Sequence, residues 1–198
     1  MGGTFDPIHH GHLVTAEEAR SQFKLDKVVF MPTGDPPHKS ISGTASAEDR
    51  YLMTVLATAG NPFFEVSRVE IDRVKVSHTI ETLQQIAVEH PRADLHFITG
   101  ADAILEILTW KDADKLGELC SFIAATRPGY SLSKFEHDIK EAETKSGLGY
   151  PSVETMSIPA LSISSTDVRV RVRDDRPIRY LVPESVAGYI KKEGLYGA

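Results

Sequence analysis

The segment MGGTFDPIHHGH, residues 1–12, decides how the rest of this sequence is interpreted. Its adjacent glycines, Gly2 and Gly3, let backbone N–H groups approach an anion without a Cβ in the way. His9 and His12 are three residues apart and share one face if this segment opens a helix. A helix N-terminus offers N–H groups and the positive end of a dipole, and imidazoles there can donate hydrogen bonds to phosphoryl oxygens. The segment therefore predicts a phosphate-binding turn.

Less specific explanations exist for the same residues. A glycine pair is most often a simple turn, and two neighbouring histidines can be a surface pair. Four histidines in the first 40 residues could also be zinc ligands: His9, His10, His12 and His38. The sequence has no HExxH pattern, and its single cysteine, Cys120, cannot complete a closed zinc site. We therefore expect no metal bound by these histidines, and we expect Gly11 to let a ligand approach the backbone.

Beyond this segment, apolar β-type runs alternate with helix-like stretches. The strand candidates are residues 27–32, 63–71, 93–99, 121–126 and 153–158. The helix candidates are residues 11–23, 46–59, 79–89, 101–107, 133–145 and 183–192. Such alternation predicts parallel strands joined by right-handed crossovers, which is a doubly wound, Rossmann-like α/β sheet flanked by helices. We expect residues 1–198 to form a single domain.

One segment carries conflicting signals. Residues 168–173 read VRVRVR, and strict alternation favours a strand. The four residues before them, SSTD at 164–167, are typical of a helix N-cap. We predict a helix here, because a helix N-terminus with hydroxyls and a following arginine suits a phosphate.

Composition narrows the class of protein. Of the 198 residues, 41% are hydrophobic and 25% are charged, which indicates a globular protein with a real core rather than a disordered or fibrous one. The net charge of −6 argues against non-specific binding to nucleic acid or to an anionic membrane. No apolar run is long enough to span a bilayer, and no secretory signal is visible. Together with a lone cysteine, which we expect in the core, these features favour a soluble cytoplasmic protein.

Two motifs carry a resemblance to a known family. GGTFDPIHHGH (residues 2–12) resembles the HxGH signature of the α/β nucleotidyltransferases, and ISSTDVR (residues 163–169) resembles their ISSTxxR motif. The rest of the chain is similar to the bacterial nicotinate-nucleotide adenylyltransferase family. The resemblance implies a Rossmann-like fold of the nucleotidyltransferase type. It also implies transfer of AMP from ATP to nicotinate mononucleotide, giving nicotinate adenine dinucleotide and pyrophosphate in NAD biosynthesis.

The resemblance implies an ATP site built from both motifs. His9, His12 and Arg169 would stabilise charge on the phosphates during the reaction. Nine further residues would bind ATP: Gly2, Gly3, Thr4, Phe5, Gly11, Ile163, Ser164, Ser165 and Thr166. Mg²⁺ would accompany ATP, held mostly by the nucleotide and water rather than by protein ligands.

The resemblance also implies a site for the acceptor. Seven residues would contact it: Asp6, Lys39, Thr79, Gly100, Asp102, Trp110 and Arg127. The ring of Trp110 would stack on the pyridine, and Thr79 would receive the nicotinate carboxylate. Lys39, in a long loop rich in Pro, Gly and Ser, would reach a substrate phosphate. His78 stands where the family usually has a tyrosine.

Several alternatives stay open. The same chemistry could use nicotinamide mononucleotide or phosphopantetheine as the acceptor, or the chain could be a nucleotide-binding regulator without catalysis. The sequence is also compatible with a homo-oligomer. The family has several apolar residues before the glycine pair, whereas only Met1 precedes it here, so we expect the natural chain to begin a few residues earlier.

Overall fold

The computed structural model describes residues 1–34, 43–126, 132–159 and 161–197. The chain divides into two compact units. Unit 1 comprises Met1–Val76 and Leu161–Ala198, and unit 2 comprises Ser77–Ala160. Unit 1 is therefore discontinuous in sequence, with unit 2 inserted into it. The expectation of one domain over the whole chain stays a prediction.

The described residues form six strands and eight helices. The strands are β1 (Gly2–Gly3), β2 (Val28–Pro32), β3 (Phe64–Val66), β4 (His96–Gly100), β5 (Ser121–Thr126) and β6 (Val153–Ser157). The helices are α1 (His10–Gln22), α2 (Ala47–Thr58), α3 (Thr79–Glu89), α4 (Ala101–Leu105), α5 (Ala113–Leu116), α6 (Leu132–Ser146), α7 (Ser165–Arg173) and α8 (Glu184–Lys192). Short 3-10 turns cover Ile107–Thr109 and Leu195–Gly197.

Unit 1 is built on a parallel sheet in the order β1-β2-β3. The middle strand, β2, pairs with both neighbours, with Met31 opposite Gly2 and Val28 opposite Phe64. Alternate residues of β2 are buried, and the ring of Phe30 at its centre contacts the ring of Phe64. Because β1 and β2 run in parallel, the chain that leaves β1 enters the first motif at the carboxyl end of the sheet, where doubly wound folds bind ligands.

The C-terminal part of unit 1 packs on its N-terminal part. The hydroxyl of Tyr189, on α8, donates a hydrogen bond of 2.9 Å to the carboxylate of Asp49, on α2. The hydroxyl of Ser185 donates to the carbonyl of Leu56, at 3.1 Å. These bonds hold α8 on α2, although the two helices are far apart in sequence.

Unit 2 has its own parallel sheet, in the order β4-β5-β6. Its core is apolar, and residues from α3, α4, α5, α6 and β5 form it. Cys120 belongs to this core, with 7% of its surface exposed, and burial raises the pKa of its thiol to about 12. The prediction of a core cysteine is confirmed, because such a thiol is neither exposed nor ionised at neutral pH.

The α/β fold with parallel strands is confirmed, and several elements have their predicted bounds. α3 covers residues 79–89 and β5 covers residues 121–126, as expected. The conflicting segment is a helix, because the hydroxyl of Ser164 accepts a hydrogen bond of 3.1 Å from the N–H of Asp167 and caps α7. None of the described helices is long and apolar enough to cross a membrane.

Other bounds were predicted wrongly. β3 ends at Val66 rather than at residue 71, because the N–H of Asp72 bonds to the carbonyl of Arg68 and the chain turns there. The helix expected over residues 101–107 ends at Leu105, and a 3-10 turn follows it. Two short elements were not predicted, namely β1 and the four-residue helix α5.

Candidate active site

The first motif is a tight turn from β1 into α1. Gly3 ends β1, and a Cβ at this position would lie 3.0 Å from Cε1 of Phe5. Phe5 is buried and has a φ of +51°, in the left-handed region that L-residues rarely adopt. A larger residue at position 3 would therefore require the ring of Phe5, which folds back over it, to move by a few tenths of an ångström. The turn places Asp6 in the interior, with 3% of its surface exposed.

The two histidines of the motif lie against each other at the start of α1. Their rings stack with centroids 3.7 Å apart and an interplanar angle of 19°. The ring of Phe5 also contacts His12, with the two ring centroids 5.1 Å apart and the ring planes perpendicular. Nδ1 of His12 accepts a hydrogen bond of 3.2 Å from the backbone N–H of His9. In a neutral His12 the proton is therefore on Nε2, which is left as a donor.

His12 is neutral in this environment. Burial lowers its pKa to about 3, and the neighbouring His9 contributes to the shift in the same direction. A neutral imidazole that donates through Nε2 can hydrogen-bond a phosphoryl oxygen without first losing a proton. The geometry thus makes the His12 imidazole a neutral hydrogen-bond donor of fixed orientation rather than a mobile cation.

Gly11 allows a close approach to the helix, and the group that approaches is a protein side chain. A Cβ on Gly11 would lie 3.0 Å from both Cε1 and Nδ1 of His9. The close approach of a ligand to the backbone at Gly11 stays a prediction. The structure shows that the glycine first makes room for the His9 ring.

The second motif contacts the first directly. The hydroxyl of Ser165 donates a hydrogen bond of 2.8 Å to the carbonyl of Pro7. Nη1 of Arg169 donates to the carbonyl of Asp6, at 2.7 Å, and Nη2 lies 3.3 Å from Oγ1 of Thr166. The two motifs, predicted separately from opposite ends of the sequence, therefore form one cluster in unit 1.

Asp6 is held by protein groups on several sides. Oδ1 accepts hydrogen bonds from the N–H of Ala45, at 3.0 Å, and from the hydroxyl of Tyr196, at 2.7 Å. Oδ2 lies 3.6 Å from Nη1 of Arg169. The contact with substrate that the resemblance implies for Asp6 stays a prediction, and the observed contacts are those of a carboxylate that organises the motifs.

Sequence reasoning missed Arg50, a buried cation behind the turn. Its side chain is 3% exposed, and Nη1 donates to the carbonyl of Thr4, at 2.8 Å. Nε lies 3.4 Å from the carbonyl of Ala45. The signal was available, because Arg50 stands three and four residues before Met53 and Thr54, which are also buried on α2. An arginine on the buried face of a helix indicates an internal polar network.

Unit 2 carries five of the seven residues predicted for the acceptor, whereas Asp6 and Lys39 belong to unit 1. Thr79 is the first residue of α3, and Trp110 lies half-buried with its ring 5.9 Å from that of Phe97. The ammonium of Lys111 pairs with the carboxylate of Glu81, at 2.7 Å. Lys111 adjoins Trp110 and Glu81 lies in the first turn of α3, so this ion pair brings Trp110 and Thr79 to the same part of unit 2.

Gly100 and Asp102 lie where β4 meets α4. Gly100 is the last residue of the strand, and no atom lies within 4 Å of where its Cβ would be. Asp102 is exposed in the first turn of the helix. Both lie at the carboxyl end of a parallel strand, as predicted. The other two predicted residues, Lys39 and Arg127, lie outside the described residues.

Comparison with known proteins identifies the family. Residues 1–171 match a family model described as cytidylyltransferase-like. The probable nicotinate-nucleotide adenylyltransferase of Moorella thermoacetica is 55% identical over 197 residues, which cover 99% of this chain and 89% of that protein. This chain belongs to the nicotinate-nucleotide adenylyltransferase family. Members of this family are nucleotidyltransferases, so the prediction of an enzyme of that class is confirmed.

Solved structures agree with the fold of this family member. Plasmodium falciparum nicotinic acid mononucleotide adenylyltransferase complexed with NaAD has a TM-score of 0.76 and 20% identity, covering 98% of this chain and 94% of that one. The same protein complexed with APC has a TM-score of 0.75 and 19% identity over the same shares of the two chains. The Rossmann-like nucleotidyltransferase fold is thus shared, although few residues are identical.

Proposed function

We propose that this chain transfers the adenylyl group of ATP to nicotinate mononucleotide and releases pyrophosphate. The observation that carries the proposal is the direct bonding of the two motifs in unit 1. Arg169 and Ser165 of the second motif bond to Asp6 and Pro7 of the first, beside the stacked histidines. The high identity to a protein named for this reaction supports the choice of acceptor.

The chemistry is an in-line displacement at the α-phosphorus of ATP. An oxygen of the 5′-phosphate of the mononucleotide forms the new P–O bond, and the bond from the α-phosphorus to the bridging oxygen of pyrophosphate breaks. The attacking phosphate is already an anion, so no base and no covalent enzyme intermediate is needed. Catalysis then consists of positioning the two phosphates and stabilising the charge that moves between them.

The histidine pair acts on the phosphoryl oxygens. Nε2–H of the neutral His12 donates to an oxygen on which negative charge increases in the transition state. A bound polyphosphate raises the pKa of His12 from its low value, because an adjacent anion favours the imidazolium. Hydrogen bonding therefore strengthens as charge develops. His9, stacked on His12, keeps its ring in place.

Arg169 and the start of α7 hold the leaving phosphates. The guanidinium is half-buried and anchored by the carbonyl of Asp6, and its remaining N–H groups offer donors to phosphate oxygens. The backbone and hydroxyls at Ile163 to Thr166 face the same ligand in this proposal, with the positive end of the helix dipole behind them. Gly2 to Phe5 supply backbone N–H groups from the other motif.

ATP enters as its magnesium complex in this proposal. Within the described ranges, no three His, Cys, Asp or Glu side chains are grouped so as to hold a metal ion. Mg²⁺ usually retains several waters and binds through substrate phosphates, where it neutralises charge on the oxygens. Mg²⁺ therefore arrives with ATP as part of the substrate in this proposal.

Unit 2 provides most of the acceptor site in this proposal. The ring of Trp110 stacks on the pyridine, and the N-terminus of α3 at Thr79 faces the carboxylate of the nicotinate. Gly100 and Asp102 contact the ribose and phosphate of the mononucleotide, with Lys39 and Arg127 as further contacts. Location in the cytoplasm, assembly into a homo-oligomer and a single nucleotidyltransferase domain over residues 1–198 belong to the same proposal.

Pyrophosphate release tests the reaction and the acceptor together. The enzyme is incubated with ATP and Mg²⁺, with nicotinate mononucleotide in one reaction and nicotinamide mononucleotide in another. We expect the unaltered enzyme to release pyrophosphate and to prefer nicotinate mononucleotide strongly over nicotinamide mononucleotide. Equal rates would replace the acid-specific assignment with dual specificity. No release with either nucleotide, nor with phosphopantetheine, would contradict the proposed reaction and favour a regulator that binds nucleotides.

A further inference from the structure

The phenol of Tyr196 lies in a network that joins the C-terminal segment to both motifs. Its hydroxyl donates a hydrogen bond of 2.7 Å to Oδ1 of Asp6, and the N–H of Ala45 donates to the same oxygen. With both donors on Oδ1, the other oxygen, Oδ2, faces Nη1 of Arg169 at 3.6 Å. Tyr196 thus helps to fix the rotation of a buried carboxylate whose second oxygen faces the arginine of the second motif.

Tyr196 lies beyond the residues that match the family model, which end at position 171. The segment after that position contacts the first motif at a second point, because the carbonyl of Leu181 accepts a hydrogen bond of 3.0 Å from the N–H of His10. Tyr196 has a φ of +62°, in the left-handed region, and such a backbone persists only where surrounding contacts hold it. The C-terminal segment is therefore closely fitted to the motifs.

We propose that Tyr196 is a positioning residue for the phosphates of ATP, acting through Asp6 on Arg169. The proposal rests on the proposed function in one respect, that Arg169 is a phosphate ligand. While Tyr196 occupies Oδ1, the carboxylate makes only a long contact with Arg169, whose Nη1 bonds to the carbonyl of Asp6. Without the hydroxyl, Oδ1 retains only the hydrogen bond from the N–H of Ala45, and the carboxylate is held less firmly. It can then turn toward the guanidinium and pair closely with it, which withdraws donors from the phosphates.

The hydroxyl remains a donor across the working pH range. Burial and the adjacent Asp6 raise the pKa of Tyr196 far above its ordinary value. Loss of the hydroxyl is therefore expected to act equally at every pH at which the enzyme is assayed.

The test compares Tyr196→Phe with a matched control, Tyr189→Phe. Tyr189 lies in the same C-terminal segment and also donates to a carboxylate, that of Asp49 on α2, at 2.9 Å. The dissociation constant of ATP is measured by calorimetry, and kcat and both KM values are measured by pyrophosphate release. Thermal melts select a temperature at which every variant is folded. We expect Tyr196→Phe to weaken ATP binding and raise the KM for ATP by about tenfold, the size of one hydrogen bond to a charged group.

The control separates positioning from general support of the fold. Tyr189→Phe is expected to leave ATP binding and the KM for ATP unchanged, and Tyr196→Phe to leave the KM for the mononucleotide unchanged. Equal losses in both variants, or no loss in Tyr196→Phe, would overturn the proposal. ATP binding is measured without turnover, so a wild-type enzyme that binds ATP but releases no pyrophosphate would refute the proposed function and still decide the role of Tyr196.

A double mutant tests the route through Asp6. In an Asp6→Asn background, Tyr196→Phe is expected to add little further loss of ATP affinity, because the carboxylate it orients is already gone. Two independent, additive losses would show that Tyr196 acts by another route and would overturn the proposal.

Discussion

The two units place their polar groups differently. Unit 1 buries charged and titratable side chains around its motifs, namely Asp6, His9 and Arg50. Among the described residues of unit 2, the buried polar side chains are Thr82 and Thr126, and the core around them is apolar. Its predicted site residues Thr79, Gly100 and Asp102 lie outside that core.

This difference matches the two tasks proposed for the chain. Stabilising charge on phosphates requires donors that are oriented before the substrate arrives, because reorienting them during the reaction would cost free energy. A buried network such as that of Asp6 provides this orientation. Recognising a flat acceptor needs a rigid support and a few surface groups, which an apolar core supplies. The comparison predicts that substitutions in unit 1 alter kcat and ATP binding, whereas those in unit 2 alter the KM for the acceptor.

The largest expected effect is that of His12→Ala. Removing one oriented donor to the transition state is expected to lower kcat by about 100- to 1000-fold. The measurement is pyrophosphate release at saturating substrates, with circular dichroism to confirm folding. His10→Ala is the control, because that imidazole adjoins the pair in sequence and its backbone N–H bond to Leu181 does not use the side chain. Wild-type turnover in His12→Ala would contradict the catalytic role proposed for this histidine of unit 1.

Gly11→Ala separates activity from stability within unit 1. The new methyl group would lie 3.0 Å from the His9 ring, so we expect the histidine pair to shift and kcat to fall by about tenfold. Gly188→Ala on α8 is the control, since no atom lies within 4 Å of its Cβ position. That change should raise the free energy of unfolding by about 0.5–1 kcal/mol without changing kcat. Equal kcat values in the two variants would contradict the importance of the close approach.

Trp110→Ala tests the other side of the comparison. Loss of stacking on the pyridine is expected to raise the KM for nicotinate mononucleotide by about 3- to 10-fold and to leave the KM for ATP unchanged. Phe97→Leu serves as the control, because it disturbs the packing beneath Trp110 but leaves the indole ring available for stacking. If the KM for ATP rises as well, the division of tasks between the units is wrong.

The smallest expected effect is a pH dependence of stability that belongs to unit 1. The pKa of His12 is lowered to about 3 in the folded protein, whereas an unfolded chain has a histidine pKa of about 6.5. Between these values only the unfolded chain binds the proton, so stability falls as the pH decreases, by up to about 1.4 kcal/mol per pH unit. Urea unfolding at about pH 7 and about pH 5.5 should show a smaller loss for His12→Asn than for the wild type.

An exposed histidine of unit 2 provides the reference for this measurement. His137→Asn, on α6, should retain the loss of stability seen in the wild type. The same loss in His12→Asn as in the wild type would show that other groups cause the pH dependence.

Local patterns were sufficient to predict most of the fold. The apolar run of β5 and the helical period of α3 depend on neighbouring residues, and both have their predicted bounds. The cap at Ser164 correctly outweighed the alternating valines and arginines after it, because a bonded cap decides the first turn of a helix. The end of β3 was missed because it depends on the turn at Arg68 and Asp72.

The site could be predicted only in part. Its motifs give the residue types that phosphate chemistry needs, and the structure brings both motifs together. The hydrogen-bond partners in the network behind them could not be predicted, because Arg50 and Tyr196 reach Thr4 and Asp6 across 46 and 190 positions of sequence. Contacts at such separations leave no periodic pattern, and only the burial of a charged residue on a helix face hints at them.

The division of unit 1 into two sequence segments has a consequence for biosynthesis. Asp6 leaves the ribosome early, whereas Arg169 and Tyr196 follow only after all of Ser77–Ala160 has been synthesised. Domains generally fold as units during translation, so unit 2 is free to complete its apolar core while Asp6 still lacks Arg169 and Tyr196. The proposed phosphate site therefore cannot be completed in the nascent chain before the second motif has been synthesised.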